Sequence, residues 1–205
     1  MTIEEKIFQR SVPDFKKLEV YGFKKFDKLY RYEKTFMNGE FKAVILVNDD
    51  GKISGEVYDM EDDDVYLPLR VDGMEAGYVG EVRAAYENIL SDIEQYCCTQ
   101  LPFLGAQANR LATYIRETYG DVPNFLWEKL PGYGVFRNPE NDKWYALVAP
   151  LDMEKLEPKQ SGTVEIINLK LPEEKIAELL TKPGFYPAYH MNKKNVDFAA
   201  FRCKY

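Results

Sequence analysis

The chain has little of what most chemical sites are built from. It holds one histidine, His190, and three cysteines, two of them adjacent at Cys97 and Cys98. Adjacent cysteines do not readily bridge each other, so no disulfide framework is available and the thiols are expected to be reduced. A zinc site of nitrogen and sulfur ligands lacks material. No GxSxG elbow, GxxxxGK loop or dinucleotide fingerprint occurs, which excludes the commonest motif-marked hydrolases, P-loop enzymes and Rossmann oxidoreductases. No run approaches the roughly 20 apolar residues of a membrane span. The opening MTIEEKIFQR lacks the apolar stretch of a secretory signal. The expectation is a soluble, cytoplasmic protein with no membrane partner, metal, cofactor or assigned catalytic residue.

What is present is apolar and aromatic material. The 205 residues are 45% hydrophobic and 14% aromatic, enough to bury one large core or two small ones. The net charge of −7 is uneven: residues 1–100 carry 13 basic and 21 acidic side chains, a net of −8, and residues 101–205 carry 14 and 13, a net of +1. A polyanion is repelled by the first half, whereas a local basic patch in the second attracts it within about 8 to 10 Å.

Periodicity places the elements. Thr2 and Glu5 form a capping-box pattern with Ile3 and Ile7 on one face, and Pro13 is expected to stop that helix. Phe23–Phe36 and Phe41–Val47 read as strands, and Asp50 and Gly51 mark a hairpin turn. Val65, Leu67, Leu69 and Val71 alternate with polar positions, predicting a strand that Pro68 sets at an edge. From Tyr78 the period lengthens, and Val82, Tyr86, Ile89, Ile93 and Cys97 make one helical stripe. The segment Thr99–Leu104, with Pro102, is the expected linker.

Beyond it, Leu104, Ala108, Leu111 and Ile115 predict a helix ending near Gly120. Strands at Tyr133–Arg137 and Lys143–Ala149 flank a tip at residues 138–142, and Val164–Leu171 predicts another strand. Pro172 opens a helix with Ile176, Leu179 and Leu180 inward, and Val196–Phe201 reads as the last strand. The predicted fold is α+β, two small modules of antiparallel sheet with packed helices: an acidic module at 1–100 and a second at 104–205.

Three clusters invite functional reading. The stretch GFYPAYHMNKKN, residues 184–195, joins aromatics to Lys193 and Lys194, offering charge and a stacking surface for phosphates and bases. Set against this, Tyr186 and Tyr189 serve as packing groups while the lysines are solvated. Asp59 and Glu61–Asp64 offer oxygen ligands for a divalent cation but lack the spacing and glycine of a calcium loop, and read as a solvated turn. Cys97 and Cys98, in the last turn of a helix stripe, read as small buried groups.

In the second module FLWEKLPGYGVFRNPENDKWYALV, GTVEIINLKLPEEKIAELL and GFYPAYHMNKKN, taken together, resemble the MmcQ/YjbR family over residues 106–205. The resemblance implies a small α+β module similar to the frataxin-like CyaY fold, described as DNA-binding because its hairpins are likened to a double wing. It carries the signature turn onto Tyr189, His190, Met191, Asn192, Lys193 and Lys194, and the wing tip onto Asn138–Lys143. Two departures stand out. Asn195 and Val196 replace the usual histidine and tryptophan, and the chain stops at Tyr205 without the family's final helix, so sheet surface is expected to need cover from the first module or a second subunit.

The leading expectation is therefore a non-enzymatic protein that contacts DNA weakly through Arg137, Lys143, Tyr189, His190, Asn192, Lys193 and Lys194, with little base specificity and steep salt dependence. The alternative is a protein-interaction, self-association or small-ligand module anchored by Trp127 and Trp144, with Tyr189, in a groove between the modules. An enzyme with His190 as general base is least supported, because no nucleophile or cofactor partner accompanies it.

Overall fold

A computed structural model describes residues 1–71, 73–74 and 76–187 and the backbone of 197–200. The chain divides into two compact units, Met1–Leu101 and Pro102–Tyr205. Each is an antiparallel sheet with packed helices, an α+β architecture.

The first unit opens with α1 (Ile3–Ile7), held by the capping box: the Glu5 N–H donates to Thr2 Oγ1 at 3.1 Å, and the Thr2 N–H donates to Glu5 Oε2 at 2.9 Å. The helix ends at Ile7, well before Pro13. Pro13 lies instead in β1 (Ser11–Pro13), which pairs with β7 (Cys98–Gln100). The expected linker thus begins inside a strand, because Thr99 and Gln100 find ladder partners in Val12 and Ser11. A second helix, α2 (Phe15–Tyr21), lies where none is predicted. Its signal is Asp14, whose carboxylate accepts from the N–H groups of Lys16 and Lys17.

A meander follows: β2 (Lys24–Phe26), β3 (Leu29–Phe36), β4 (Phe41–Asn48), β5 (Ile53–Asp59) and the short edge strand β6 (Asp64–Val65). The predicted strand through Val71 stops at Val65, and Leu67–Arg70 winds into a 3-10 turn with Pro68 in its first positions. Alternating apolar residues fit that turn because Leu69 alone is driven into the core, while Leu67 stays exposed. The long helix α3 (Gly77–Cys97) covers the sheet. All five residues of its predicted stripe are buried against Phe41, Ala43, Ile45 and Val47, which line the core side of β4.

One polar network lies within this core. Glu4 on α1 is 2% exposed and accepts two hydrogen bonds from Arg70, at 3.0 and 2.9 Å, and one from the Tyr86 hydroxyl at 2.5 Å. Burial alone raises the pKa of its carboxyl; the hydrogen bonds from Arg70 and Tyr86 more than offset this and hold it below the usual carboxylate value. Gly55 on β5 is required beneath the network, because a Cβ there would overlap the Tyr86 hydroxyl.

The second unit begins with α4 (Ala106–Tyr119) and continues through β8 (Gly134–Arg137), β9 (Trp144–Asp152), β10 (Thr163–Leu169), α5 (Glu173–Leu179), β11 (Phe185–Pro187) and β12 (Asp197–Ala200). The strands pair in the order β11, β12, β10, β9, β8. One sheet face, with Phe136, Ala146, Val148 and Ile167, packs on Phe103, Ala108, Ala112 and Ile115. The pleat sends the neighbouring Ile166 to the other face, with Ala149, Met153 and Val164. Buried Glu165 fixes α4 to β10 by accepting from the N–H groups of Leu104 at 3.0 Å and Gly105 at 2.7 Å. On α5, Ile176 is buried as predicted, but Leu180 caps the helix and is exposed, because the helix ends one residue earlier.

Candidate ligand-binding site

Two elements of the second unit converge on a cavity. Gly120 ends α4 in the left-handed region, at φ 77°, a conformation that suits glycine and turns the chain so that Asp121 follows Tyr119 at the helix end. The tip of the β8–β9 hairpin meets this corner. It is organised by its own side chains: Asn138 Oδ1 accepts from the Glu140 N–H at 2.8 Å, and Asn141 Oδ1 accepts from the Lys143 N–H at 3.0 Å.

Between them lies an open cavity of about 490 Å³ lined by Tyr119, Asp121, Asn138, Pro139, Glu140 and Tyr145. The Tyr145 hydroxyl donates to Asp121 Oδ2 at 2.7 Å. Burial first, and then this bond to a carboxylate, pushes the Tyr145 phenol well above the usual tyrosine value, so it stays a protonated donor. Its ring leans on Phe136 in the core, with centroids 6.3 Å apart, while Tyr119 meets Tyr114 edge-on at 6.3 Å. Among the described residues the lining thus combines two phenol rings, two carboxylates and no cation. Such a wall suits a positively charged or hydrogen-bond-donating head group, through the carboxylates and the ring faces together.

The residues singled out in the sequence separate. Arg137 is engaged in its own hairpin, with Nη1 2.8 Å from Asp142 Oδ2, and Lys143 is exposed beyond it. Around the tip, Arg137 and Lys143 are balanced by Glu140 and Asp142, so the expected positive wing is electrically neutral. Trp144 is half-buried on the second sheet face, and Lys170 Nζ sits 3.9 Å from its ring centroid. Trp127 is 44% exposed and meets Tyr133 edge-on at 6.2 Å. Tyr189, His190, Asn192, Lys193 and Lys194 lie outside the described residues.

The acidic turn behaves as a turn: Asp59 Oδ1 accepts from the Glu61 N–H at 3.0 Å, and among the described residues no cluster of three or more histidine, cysteine or acidic groups could hold a metal. Burial pushes the Cys97 thiol up to about 11 and the Cys98 thiol up to about 12, as expected of inert core groups. No helix among the described residues is long and apolar enough to cross a membrane. Sequence reasoning finds the hairpin tip but misses Tyr119, Asp121 and Tyr145. The available signal is the run Tyr119, Gly120, Asp121, an aromatic and an acid on either side of a helix stop.

No family model matches the chain. The uncharacterised protein YyaQ of Bacillus subtilis (strain 168) is 38% identical over 82 residues, which is 40% of this chain and 70% of YyaQ. A crystal structure of a Pseudomonas syringae structural-genomics target is 41% identical, covering 44% of this chain and 78% of that one, with a TM-score of 0.42. A solution NMR structure of a target from the same organism is 40% identical over 45% of this chain and 74% of that one, with a TM-score of 0.43.

Proposed function

The chain belongs to the family of YyaQ, and from that premise we propose that it is a non-enzymatic binding protein of the MmcQ/YjbR type. Its site is the tyrosine-lined cavity of the second unit, and its ligand is a small organic cation such as an amine or guanidine. The observation that carries this reading is the cavity wall itself, in which Asp121, Glu140, Tyr119 and Tyr145 converge with no compensating cation among the described lining residues. Cavities of this size accommodate small ligands. Binding rests on carboxylate hydrogen bonds and ring faces, and no chemical step is attached to it. A polyanion meets the opposite conditions here, since Arg137 is already paired with Asp142 and the adjoining wall is acidic.

Titration calorimetry of the full chain with short alkyl and benzyl amines, the matching guanidines, and the matching carboxylates and phosphates tests the proposal. Saturable binding confined to the cations, weakened about tenfold by Asp121→Asn, supports it. That substitution keeps an acceptor for Tyr145 and removes only the charge. Binding of the phosphates, or of none of the probes, overturns it.

A second reading, protein association through the same unit, is favoured by one feature. Val122, Leu126, Trp127 and Leu130 are each more than 40% exposed within nine residues. Sedimentation of the wild type and Leu126→Asp at micromolar concentration tests it. A self-association that the substitution abolishes supports it, and a monomer in both cases refutes it.

A further inference from the structure

The acidic first unit contains one strongly basic segment. Residues 16–34 hold seven basic and three acidic side chains, a net of +4, whereas the rest of residues 1–100 hold six and eighteen, a net of −12. The pleat divides this charge between the two sides of the sheet. Lys16 and Lys17 lie on α2, whose Phe15 and Tyr21 pack against Tyr30 and Tyr32 of β3, with centroids 5.2 Å apart in each pair. The β2–β3 hairpin carries Lys24, Lys25, Lys28, Arg31 and Lys34, all exposed, with Lys24 and Arg31 on the face away from Tyr30 and Tyr32. Lys25 is engaged by the Tyr30 ring, 5.2 Å from its centroid.

Lys24 and Arg31 are direct cross-strand partners, so their like charges project from one face of the hairpin at its free edge. Like charges directly opposite each other destabilise a strand pair, and Glu33, 2.6 Å from Arg31, relieves only one of them. The same two cations line an open cavity of about 390 Å³ with Gly22, Phe26, Tyr32 and Glu33. Phe26 follows Lys24 on that face and is 56% exposed, a large aromatic ring left in solvent beside two cations.

We propose that this face binds a nucleotide unit, with the phosphate between Lys24 and Arg31 and the base stacked on Phe26. An anion relieves the cross-strand repulsion, and an aromatic base covers the exposed ring; each half of the ligand answers a separate feature of the unliganded surface. Glu33 competes with the phosphate for Arg31, which sets the sign of its own substitution. The site is independent of the tyrosine-lined cavity, and it puts polyanion chemistry on the unit whose overall charge argues against it.

Fluorescence anisotropy of the full chain with a short fluorescein-labelled oligothymidylate, and competition by free thymidine monophosphate, tests this. Lys24→Ala with Arg31→Ala should weaken oligonucleotide binding at least about tenfold and reduce the slope of log affinity against log salt by about 0.7 for each phosphate that is no longer neutralised. Phe26→Ala should weaken it about fivefold or more with the salt slope unchanged, as removal of one stacking platform does. Glu33→Gln should tighten it. Competition by the free nucleotide at comparable affinity marks a mononucleotide site, and its failure to compete marks a strand-binding face. All of these positions are exposed, and circular dichroism confirms that each variant folds. Binding abolished only in Arg137→Ala with Lys143→Ala, or no binding at low salt, overturns the proposal.

Discussion

Replacing Glu4 with Gln should destabilise the first unit by an amount that depends on pH in a defined direction. The wild-type Glu4 side chain is buried, and its carboxylate accepts two bonds from Arg70 and one from Tyr86. Removing one partner of a fully buried pair costs about 3–5 kcal/mol. Arg70 keeps 34% of its side chain in solvent and recovers part of its hydration, so the expected loss is about 2–3 kcal/mol near pH 7. With a urea dependence of about 2 kcal/mol/M, the midpoint falls by about 1–1.5 M.

The pH dependence follows from the lowered carboxyl pKa of folded Glu4. A carboxylate whose folded value lies below its unfolded value of about 4.5 contributes stability that is fully present above 4.5 and is lost as pH falls through the lower, folded value. The gap between wild type and Glu4→Gln should therefore be widest near neutrality and should narrow below pH 4.5. Urea unfolding followed by circular dichroism, with hydrogen exchange of α3 amides to localise the effect, measures both. A midpoint shift below about 0.3 M at pH 7, or a gap that widens in acid, refutes the reasoning.

Other outcomes follow from single interactions. Gly55→Ala should destabilise by about 2–4 kcal/mol in the same assay, because the new Cβ displaces the Tyr86 hydroxyl from Glu4. Phe136→Ala, which empties a fully buried ring position in the second unit, should cost about 3–5 kcal/mol; a loss under about 1 kcal/mol contradicts the packing described. In a Cys203→Ser background, Cys97 and Cys98 should be inert to Ellman's reagent at pH 8 in the native protein and fully reactive in urea, since burial holds both thiols protonated. Ultraviolet titration of Tyr145→Phe should lack one late-titrating phenol present in the wild type.

The sequence reveals those elements whose periodicity coincides with burial. The α3 stripe is legible because all five of its residues face one core, and the β8–β9 hairpin because its tip is spelled out in asparagine, proline and aspartate. Short elements are not. The α2 helix depends on one capping side chain, Asp14, and β1 and β7 depend on pairing between residues some 89 positions apart. Alternation at Val65–Val71 misleads because a 3-10 turn and a strand can both bury one leucine of four residues. The tyrosine-lined cavity is assembled from a helix end and a strand 24 residues later, through the Tyr145–Asp121 bond, a juxtaposition that no local pattern carries. The basic segment of the first unit is visible in composition only when the charge is counted over residues 16–34 and not over the whole half.

The most direct test of the cavity is NMR of the full chain with tyrosine rings isotopically labelled, titrated with a benzyl amine and separately with the matching phosphate. Saturable shifts of the Tyr119 and Tyr145 ring signals with the amine, absent with the phosphate and abolished in Asp121→Asn with Glu140→Gln, are predicted by two carboxylates and two rings facing one space. Ring signals indifferent to the amine, or moved by the phosphate, contradict the account.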